Sequence, residues 1–457
     1  MSIVVINAVG LTPNLLPYAP QLKRLAENQW QIAMRDILPA VTCSVQATLL
    51  TGKPVHEHGI VGNGWLYRDT QEVRFWQQSN HLLQKEPLYV TARKRANKKG
   101  KEFRCAKLFW WFNQGAMVDY SITPKPYYGI DGSKVFGITG TPDSLAEEAE
   151  KKLGVFPFHT FWGPMAGLPS TEWIAKSAAW VMESKKPDLT LVYLPHLDYD
   201  PQRFGPDRCH LPQLVKELDD ACSPILETAN RLGVKVWVLS EYGHCSVRRA
   251  IYLNRILREE KYLKVRTGPF GDQLDLFVSR AFAVCDHQLA HIYVKDENDV
   301  DGVKKCLQGI PGVAKLYSGE ERNAICLNHV RSGEIIALSE QDSWFAYNFW
   351  FEDSRAPDYA RCVAIHHKPG YDPCELFVDP TIWFPQMKIA RKLLQKKIGF
   401  RMMLDVIPLE ASIVRGSHGL INNSLNEGPI LIGTGRKPNE GMEMTEFKEL
   451  LLQELGL

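Results

Sequence analysis

The sequence predicts an α/β protein with a doubly wound sheet and helices on both faces. Two β–α–β patterns carry this prediction. In the first, buried strands over residues 3–9 and 32–38 flank a helix over residues 15–27. In the second, strands over residues 190–194 and 235–240 flank a helix over residues 211–232. Apolar strands that alternate with helices are typical of parallel sheets that are covered on both sides.

Length and composition fit one large domain. The 457 residues suit a single α/β domain, over residues 1–457, that carries an insertion. The apolar and charged fractions, 45% and 23%, are ordinary for a globular protein. A net charge of +2 gives no reason to expect a nucleic-acid partner.

Cysteine usage and the N-terminus predict a cytoplasmic protein. The 10 cysteines are scattered and form no C-x-x-C pair, as expected of buried free thiols in a reducing compartment. No basic, apolar leader precedes residue 10, and no run of 18 apolar residues indicates a transmembrane helix.

Three further segments complete the order of elements. Residues 286–340 predict a small α/β subdomain, with strands over 291–295, 313–317 and 335–338 and a helix over 300–308. Residues 66–185 are expected to form a cap or insertion, and the aromatic run that includes Trp110 and Trp111 would either fill the core or wall a substrate pocket. A short amphipathic helix is predicted from residue 443.

Residues 388–401 carry six Lys and Arg and no acid. A solvated basic helix face is the simpler interpretation. The alternatives are weak contact with an anionic membrane surface, or steering of a phosphate substrate.

Residues 38–65 form the stretch with the clearest chemistry. Thr42 precedes an apolar run that reads as a helix, so its hydroxyl would lie at a helix N-terminus, where an oxyanion is stabilised. An ordinary Thr N-cap is the alternative. Residues 58–63, with the sequence His-Gly-Ile-Val-Gly-Asn, follow this predicted helix along the chain.

This stretch resembles the nucleophile region of the type I phosphodiesterase/nucleotide pyrophosphatase family, a branch of the alkaline phosphatase superfamily. The resemblance implies an alkaline-phosphatase-like fold, with Thr42 as the nucleophile and Asn63 as the donor to a phosphoryl oxygen. It also implies two Zn²⁺ ions held by three Asp and three His residues.

The implied ligand set is incomplete in this chain. Val9 stands where the first Asp is expected, with Asn7 as the nearest polar residue. Gln202 and Tyr242 replace two histidines. A neutral Gln is a poor zinc ligand and Val is none, so we expect fewer than two tightly bound metal ions.

In addition to Thr42, the residues that keep the expected type of ligand group are Asp198, Glu241 and His418. We expect these, with His366 as a recruited ligand, to hold a divalent metal ion, zinc in the family. The candidates to replace the missing ligands are His196, Asp200, His244, His366 and Asp372, each of which has a structural role as its alternative.

Two rival sites stay open. Asp286, His287 and His291 include an i, i+4 His pair, although residues 291–295 read as a strand. Cys43 could act as a thiolate at the helix N-terminus.

The sequence thus predicts a metal-dependent hydrolase of phosphodiesters or related phosphate esters that works through a covalent Thr42 intermediate. The alternative is a degenerate, non-catalytic member that binds a phosphorylated ligand or partner. The sequence does not predict the oligomeric state.

Overall fold

The computed structural model describes residues 2–130, 134–397 and 403–457. Its strands are, in chain order, β1 Ile3–Ala8, β2 Trp30–Arg35, β3 Gly64–Tyr67, β4 Glu72–Phe75, β5 Cys105–Leu108, β6 Tyr120–Pro124, β7 Tyr127–Tyr128, β8 Lys134–Val135, β9 Ile138–Thr141, β10 Leu189–Leu194, β11 Lys235–Leu239, β12 Cys245–Ser246, β13 Arg249–Ile251, β14 Val265–Gly268, β15 Gly271–Leu274, β16 Ala281–Asp286, β17 Leu289–Val294, β18 Val313–Ser318, β19 Ile335–Ser339, β20 Ser343–Phe345, β21 Gly416–Ser417, β22 Ile430–Gly433 and β23 Met442–Glu443. Its α-helices are α1 Pro20–Asn28, α2 Thr42–Thr51, α3 Val55–His58, α4 Leu88–Lys98, α5 Ser144–Leu153, α6 Leu168–Lys185, α7 Asp200–Phe204, α8 Leu211–Leu232, α9 Leu253–Glu259, α10 Val300–Leu307, α11 Pro385–Lys397 and α12 Phe447–Glu454.

A nine-stranded sheet forms the centre of the molecule, in the order β23-β2-β22-β11-β1-β10-β5-β6-β9. The middle strands β11, β1, β10, β5 and β6 are parallel, and β22 and β9 run antiparallel to their neighbours β11 and β6. Every residue of β1 and β10 is buried, as continuous apolar runs in a covered parallel sheet require. The predicted doubly wound sheet is therefore confirmed.

Two groups of helices cover the sheet. One group packs around α8 and includes α1, α5 and α6; the other joins α2, α4 and α12. All ten residues of α2 are buried, which explains why its sequence has no polar face. The helix that carries Thr42 is thus fixed by packing along its whole length.

Most predicted elements lie within a few residues of the observed ones, and α8 has the predicted bounds. Residues 66–185, predicted as a cap or insertion, instead supply β5, β6 and β9 to the central sheet and helices α4, α5 and α6 around it. This segment is part of the central sheet because its short strands pair with other strands of the sheet, such as β5 with β10, which lies far along the chain.

The small subdomain has the sheet order β16-β17-β19-β18, with α9 and α10 packed on it. It begins at Ala281 rather than at residue 286, because β16 forms a hairpin with β17. The hairpin turn holds His287, whose φ is +60°, and points into the candidate site described below.

All 10 cysteines are free, and five of them are buried, whereas the sequence predicts that most are buried. Among the described residues, no helix combines the length and the apolar character needed to cross a membrane. Residues 398–401 of the predicted basic segment lie outside the described residues.

Candidate active site

Polar side chains lie at or just after the C-terminal ends of three adjacent parallel strands. Asn7 lies in β1, Asp198 follows β10, and Glu241 follows β11. Because β1 pairs with both β10 and β11, these side chains meet at one edge of the sheet. Ligands bind at this edge in open α/β sheets.

Thr42 reaches this edge from the start of α2. Val41 is the N-cap residue and makes no side-chain capping bond, so Thr42 is the first helical residue and its hydroxyl does not cap the helix. The ordinary N-cap interpretation is therefore wrong. The hydroxyl is buried and lies 2.8 Å from the Tyr242 hydroxyl.

Tyr242 connects Thr42 to the centre of the site. Its hydroxyl donates to Asp198 Oδ1 over 3.3 Å, which leaves its oxygen free to accept from Thr42 Oγ1. Its ring stacks on the His418 ring, with 3.7 Å between centroids and an 8° angle between planes. Tyr242 thus fixes both the nucleophile candidate and one metal-ligand candidate.

Asp198, His244 and His418 form a group that could hold a metal ion, with their ligand atoms all within 4.8 Å of one another. His244 Nε2 lies 3.0 Å from Asp198 Oδ1, and His418 Nε2 lies 3.7 Å from the same oxygen. Among the described residues this is the one such group. It contains two predicted ligands, Asp198 and His418, and His244, which the sequence offered only as a substitute.

His418 is prepared for a ligand. Its Nδ1 lies 2.7 Å from the carbonyl of Ala40 and must donate to it, so the neutral ring keeps a lone pair on Nε2. Nε2 is buried and has no hydrogen-bond partner. Burial, followed by the nearby His287 and His244, lowers the pKa of His418 well below its usual value. A buried imidazole with a fixed tautomer and a free Nε2 is typical of a metal ligand.

Glu241 faces a different set of groups. Its Oε1 accepts from Asn7 Nδ2 over 2.5 Å and from Gln46 Nε2 over 2.7 Å. Burial raises the pKa of Glu241 to about 8, although both amide donors oppose the rise. The structure does not bring Glu241 into the group of three, because its carboxyl turns toward the amides of Asn7 and Gln46.

The two other departures from the family pattern are also occupied by internal contacts. Gln202 donates to the carbonyl of Asp198 over 2.7 Å and accepts from the Tyr371 hydroxyl over 2.6 Å. Val9 is fully buried in the main core. Neither residue contributes a ligand atom to the group of three.

Asn63 lies beside the start of α2, as its predicted role requires. Its Oδ1 accepts from the backbone N–H of Cys43 over 3.0 Å, and its Nδ2 donates to Asp286 Oδ1 over 3.0 Å. The backbone N–H of Asn63 donates to Asp286 Oδ2 over 2.7 Å. Burial raises the pKa of Asp286 to about 7, against the two bonds from Asn63. Both ends of the Asn63 amide are therefore bound within the protein.

The remaining predicted residues lie at different depths. Trp110 is fully buried in the main core. Trp111 is also buried, at 9% exposed, in a second cluster with Cys43 and Ala47 of α2, and its ring centroid lies 5.2 Å from that of Trp76. Trp111 therefore adjoins the nucleophile helix. A ring nitrogen of His366 lies 3.2 Å from the carbonyl of Phe75, and His366 is not part of the group of three.

The other proposed substitutes for the missing ligands have partners elsewhere. His196 contacts Glu217, Asp200 contacts Arg203, and Asp372 contacts Lys368. Of the five substitutes, His244 alone joins Asp198 and His418.

The rival sites do not form. His291 lies in a strand with Nε2 3.0 Å from the carbonyl of Val61, Asp286 binds Asn63, and His287 turns elsewhere. Cys43 is buried, and burial raises the pKa of its thiol well above the usual value, so it is not a ready thiolate.

His287 and Tyr371 were missed as components of the predicted phosphoester site. The His287 ring lies 3.7 Å from the His418 ring and 3.8 Å from the Tyr371 ring. Burial lowers the pKa of His287 well below its usual value, so the ring is neutral. The hairpin turn between β16 and β17 brings His287 here, and no local pattern in the sequence indicates that contact.

Comparison with known proteins identifies the family. Residues 3–372 match the family described as type I phosphodiesterase / nucleotide pyrophosphatase. The chain belongs to this family. It is accordingly a hydrolase that acts on phosphoester bonds, as the sequence predicts. No curated protein matches the chain by sequence.

Solved structures share the fold. Murine ectonucleotide pyrophosphatase / phosphodiesterase 5 is 16% identical with a TM-score of 0.60, over 100% of this chain and 95% of that one. An inactive variant of that enzyme was solved in complex with AMP at the same similarity. Phosphonoacetate hydrolase from Sinorhizobium meliloti 1021, in complex with phosphonoformate, is 14% identical with a TM-score of 0.60, over 100% of this chain and 96% of that one. The alkaline-phosphatase-like fold predicted for this chain is confirmed by these neighbours.

Proposed function

We propose that this chain hydrolyses phosphodiesters or related phosphate esters, with Thr42 as the nucleophile and one divalent metal ion held by Asp198, His244 and His418. One observation carries the proposal. The Thr42 hydroxyl, free of any capping role, joins through Tyr242 to the carboxylate of the group that could hold a metal.

The donor set fits a single ion. One carboxylate and two imidazoles are the ligand types that Zn²⁺ takes in catalytic sites, with a further position open. The buried, unpartnered Nε2 of His418 lies 3.7 Å from the same carboxylate oxygen that His244 contacts, so its lone pair is available to a cation between them. When bound, such an ion polarises phosphoryl oxygens and stabilises the negative charge on them.

The protein's own residues prepare Thr42 for attack. The bond chain from Thr42 to Tyr242 to Asp198 holds the Thr42 hydroxyl beside the group that could hold the metal. In the first step a bond forms between Thr42 Oγ1 and phosphorus while the ester bond to the leaving group breaks. The proton that Thr42 gives up ends on the leaving oxygen. Water then hydrolyses the phosphorylated threonine and restores the hydroxyl.

The start of α2 supports the charged oxygens. Backbone N–H groups and the positive end of the helix dipole meet there. Asn63 fixes this end by accepting from the N–H of Cys43. Donation from Asn63 to a phosphoryl oxygen stays a prediction, and it requires Nδ2 to leave Asp286.

The neighbours support a small phosphorylated substrate. One neighbouring structure holds AMP and another holds phosphonoformate. Trp111, beside α2, is suited to pack against an aromatic leaving group. We therefore choose bis(p-nitrophenyl) phosphate as the first substrate to test.

The test replaces Thr42 with Ala and compares turnover of this diester in zinc-loaded protein. We expect a fall of several powers of ten, since electrostatic stabilisation alone leaves a residual rate. Thr42→Ser should keep part of the activity and should carry a phosphoryl group detectable by mass spectrometry after acid quench. Cys43→Ala is the matched control at the next position and should turn over normally.

Two results would overturn the proposal. The first is Thr42→Ala turning over substrate as fast as the wild type. The second is wild-type protein that binds vanadate but hydrolyses no ester, which would favour a phosphate-binding member. The burial of Thr42 and the Tyr that replaces an expected ligand are the observations that keep this second function under test.

A further inference from the structure

Helix α11 and the two residues before it expose large apolar side chains to solvent. The exposed fractions are 88% for Trp383, 64% for Phe384, 68% for Met387 and 58% for Leu394. Phe384, Met387 and Leu394 are spaced by three and seven residues, so they lie along one side of the helix. Few soluble surfaces leave such a row uncovered without a partner.

The other side of the helix is attached to the protein. Ile389 packs against a buried cluster that contains Val406 and Ile407. Lys388 Nζ lies 3.1 Å from Asp405 Oδ2, and Lys392 Nζ lies 3.0 Å from Asp405 Oδ1. These contacts set the rotation of the helix, so the row of apolar side chains is held outward.

The same segment carries the chain's excess positive charge. Residues 380–404 contain no Asp or Glu and six cationic residues: Lys388, Arg391, Lys392, Lys396, Lys397 and Arg401. The rest of the chain has 48 Lys and Arg against 52 Asp and Glu. Arg391, between Met387 and Leu394, is exposed. The net charge of +2 therefore hides a basic segment on an otherwise slightly acidic protein.

We propose that this surface, Trp383 to Leu394, docks on an anionic lipid bilayer. The apolar side chains would enter the boundary between headgroups and acyl chains. Arg391, the cation of this surface that does not contact Asp405, would pair with anionic headgroups. Tryptophan is favoured at that boundary because its ring is apolar and its N–H is polar. Nucleic acid would use the cations but would leave Met387 and Leu394 in water, so lipid accounts for both features.

Co-sedimentation with vesicles tests the proposal. Wild-type protein should bind vesicles of phosphatidylcholine with about 30% phosphatidylserine, and should release as salt is raised. It should bind pure phosphatidylcholine far less. Arg391→Gln should weaken binding about five-fold, because each cation near such a surface contributes about 1 kcal/mol. Joint Trp383→Ala and Phe384→Ala should weaken it roughly ten-fold or more.

Matched controls exist elsewhere on the surface. Phe270 is exposed to the same degree as Phe384, and Arg24 is exposed on α1. Phe270→Ala and Arg24→Gln should change binding less than about two-fold. All five substituted side chains are exposed, so the variants should keep the circular dichroism spectrum of the wild type.

Three outcomes would overturn the proposal. The proposal is wrong if wild-type protein does not bind anionic vesicles. Controls that lose as much binding as the α11 variants show non-specific adsorption. Concentration-dependent self-association that disappears in the Trp383 and Phe384 variant assigns the surface to a second copy of the chain. Turnover of a water-soluble diester is independent of all three outcomes.

Discussion

His244 and His366 offer a direct choice between two metal sites. The sequence favoured His366 as the recruited ligand, whereas the structure brings His244 to Asp198 and His418. We predict that His244→Ala loses tight metal binding and that His366→Ala, the matched control, keeps it. The physical reason is proximity: His244 Nε2 lies 3.0 Å from Asp198 Oδ1, while a ring nitrogen of His366 lies 3.2 Å from the carbonyl oxygen of Phe75.

The expected loss of metal affinity follows from the number of direct ligands. Loss of a group that merely orients a ligand lowers metal affinity about 10- to 100-fold. Loss of one of three direct ligands should exceed that range, so we expect a fall of more than about 100-fold. The His366 variant should stay within about two-fold. His244→Ala also removes a partner of a buried carboxylate, which should lower the free energy of unfolding by about 1–3 kcal/mol.

The assay begins with protein stripped by a chelator and titrated with Zn²⁺ against a competing fluorescent chelator. Elemental analysis after dialysis then gives the stoichiometry, which should be close to one and below two in the wild type. Circular dichroism at the titration temperature confirms that each variant is folded. The reasoning is refuted if His366→Ala loses the ion while His244→Ala retains it, or if the wild type retains two equivalents.

The remaining predictions concern the surroundings of this site and the thiols. Tyr242→Phe keeps the ring stack on His418 but removes the hydroxyl that partners Thr42. Turnover should therefore fall roughly 10²- to 10³-fold, while zinc affinity should change less than about ten-fold. Unchanged turnover would contradict this prediction. The contribution of Asp286 to the free energy of unfolding of metal-free protein should fall by up to about 4 kcal/mol between pH 4 and pH 7, because native Asp286, with its pKa raised from 3.8 to about 7, keeps a proton that the unfolded chain releases. Buried His287 and His418, with lowered pKa values, act in the opposite direction in both proteins, so the test is the difference in pH slope between the wild type and Asp286→Asn in urea titrations; equal slopes would contradict the prediction. Most of the 10 cysteines should react with a thiol reagent in denatured, non-reduced protein, and several intact disulfides would contradict this.

The elements that the sequence predicted well are those with a strong local period. Helix α8 has an apolar stripe over 22 residues and is followed by Gly233, whose φ of +66° suits glycine. The sequence therefore predicted both ends of this helix. Strands β5 and β9 have only four residues each, and what makes them strands is pairing with β10 and β6. Strand β10, the partner of β5, is distant in sequence, and β9 reaches the sheet only through β6, so local pattern could not place residues 66–185 in the sheet.

The candidate site was predictable where position along the chain decides it. Thr42 and Asp198 follow strands, and their types are those of the resembled family. Glu241 also lies at the right strand end, but Asn7 and Gln46 hold its carboxyl. The position of a residue along the chain indicates where it lies in the fold, but not the direction in which its side chain points. His244 is three residues beyond Glu241, and only the loop geometry shows that its ring turns back to Asp198.

The two halves of the site differ in their need for a cation, and the substitutions explain why. In the half of the site that contains Asn7, Glu241 and Tyr242, the groups at the expected ligand positions are neutral at pH 7. Val9 and Tyr242 replace two expected ligands, and the Glu241 carboxyl, with a pKa of about 8, holds its proton. Buried Asn7 Oδ1 and Glu241 Oε2 make no hydrogen bond, but neither group carries a charge, so this half offers no anionic ligand to a cation. The other half keeps the Asp198 carboxylate and the unpartnered Nε2 of His418. Hydrogen bonding alone leaves that nitrogen unsatisfied, and a cation satisfies it. The distribution of charge thus supports one ion, beside Thr42 and bound by Asp198, His244 and His418.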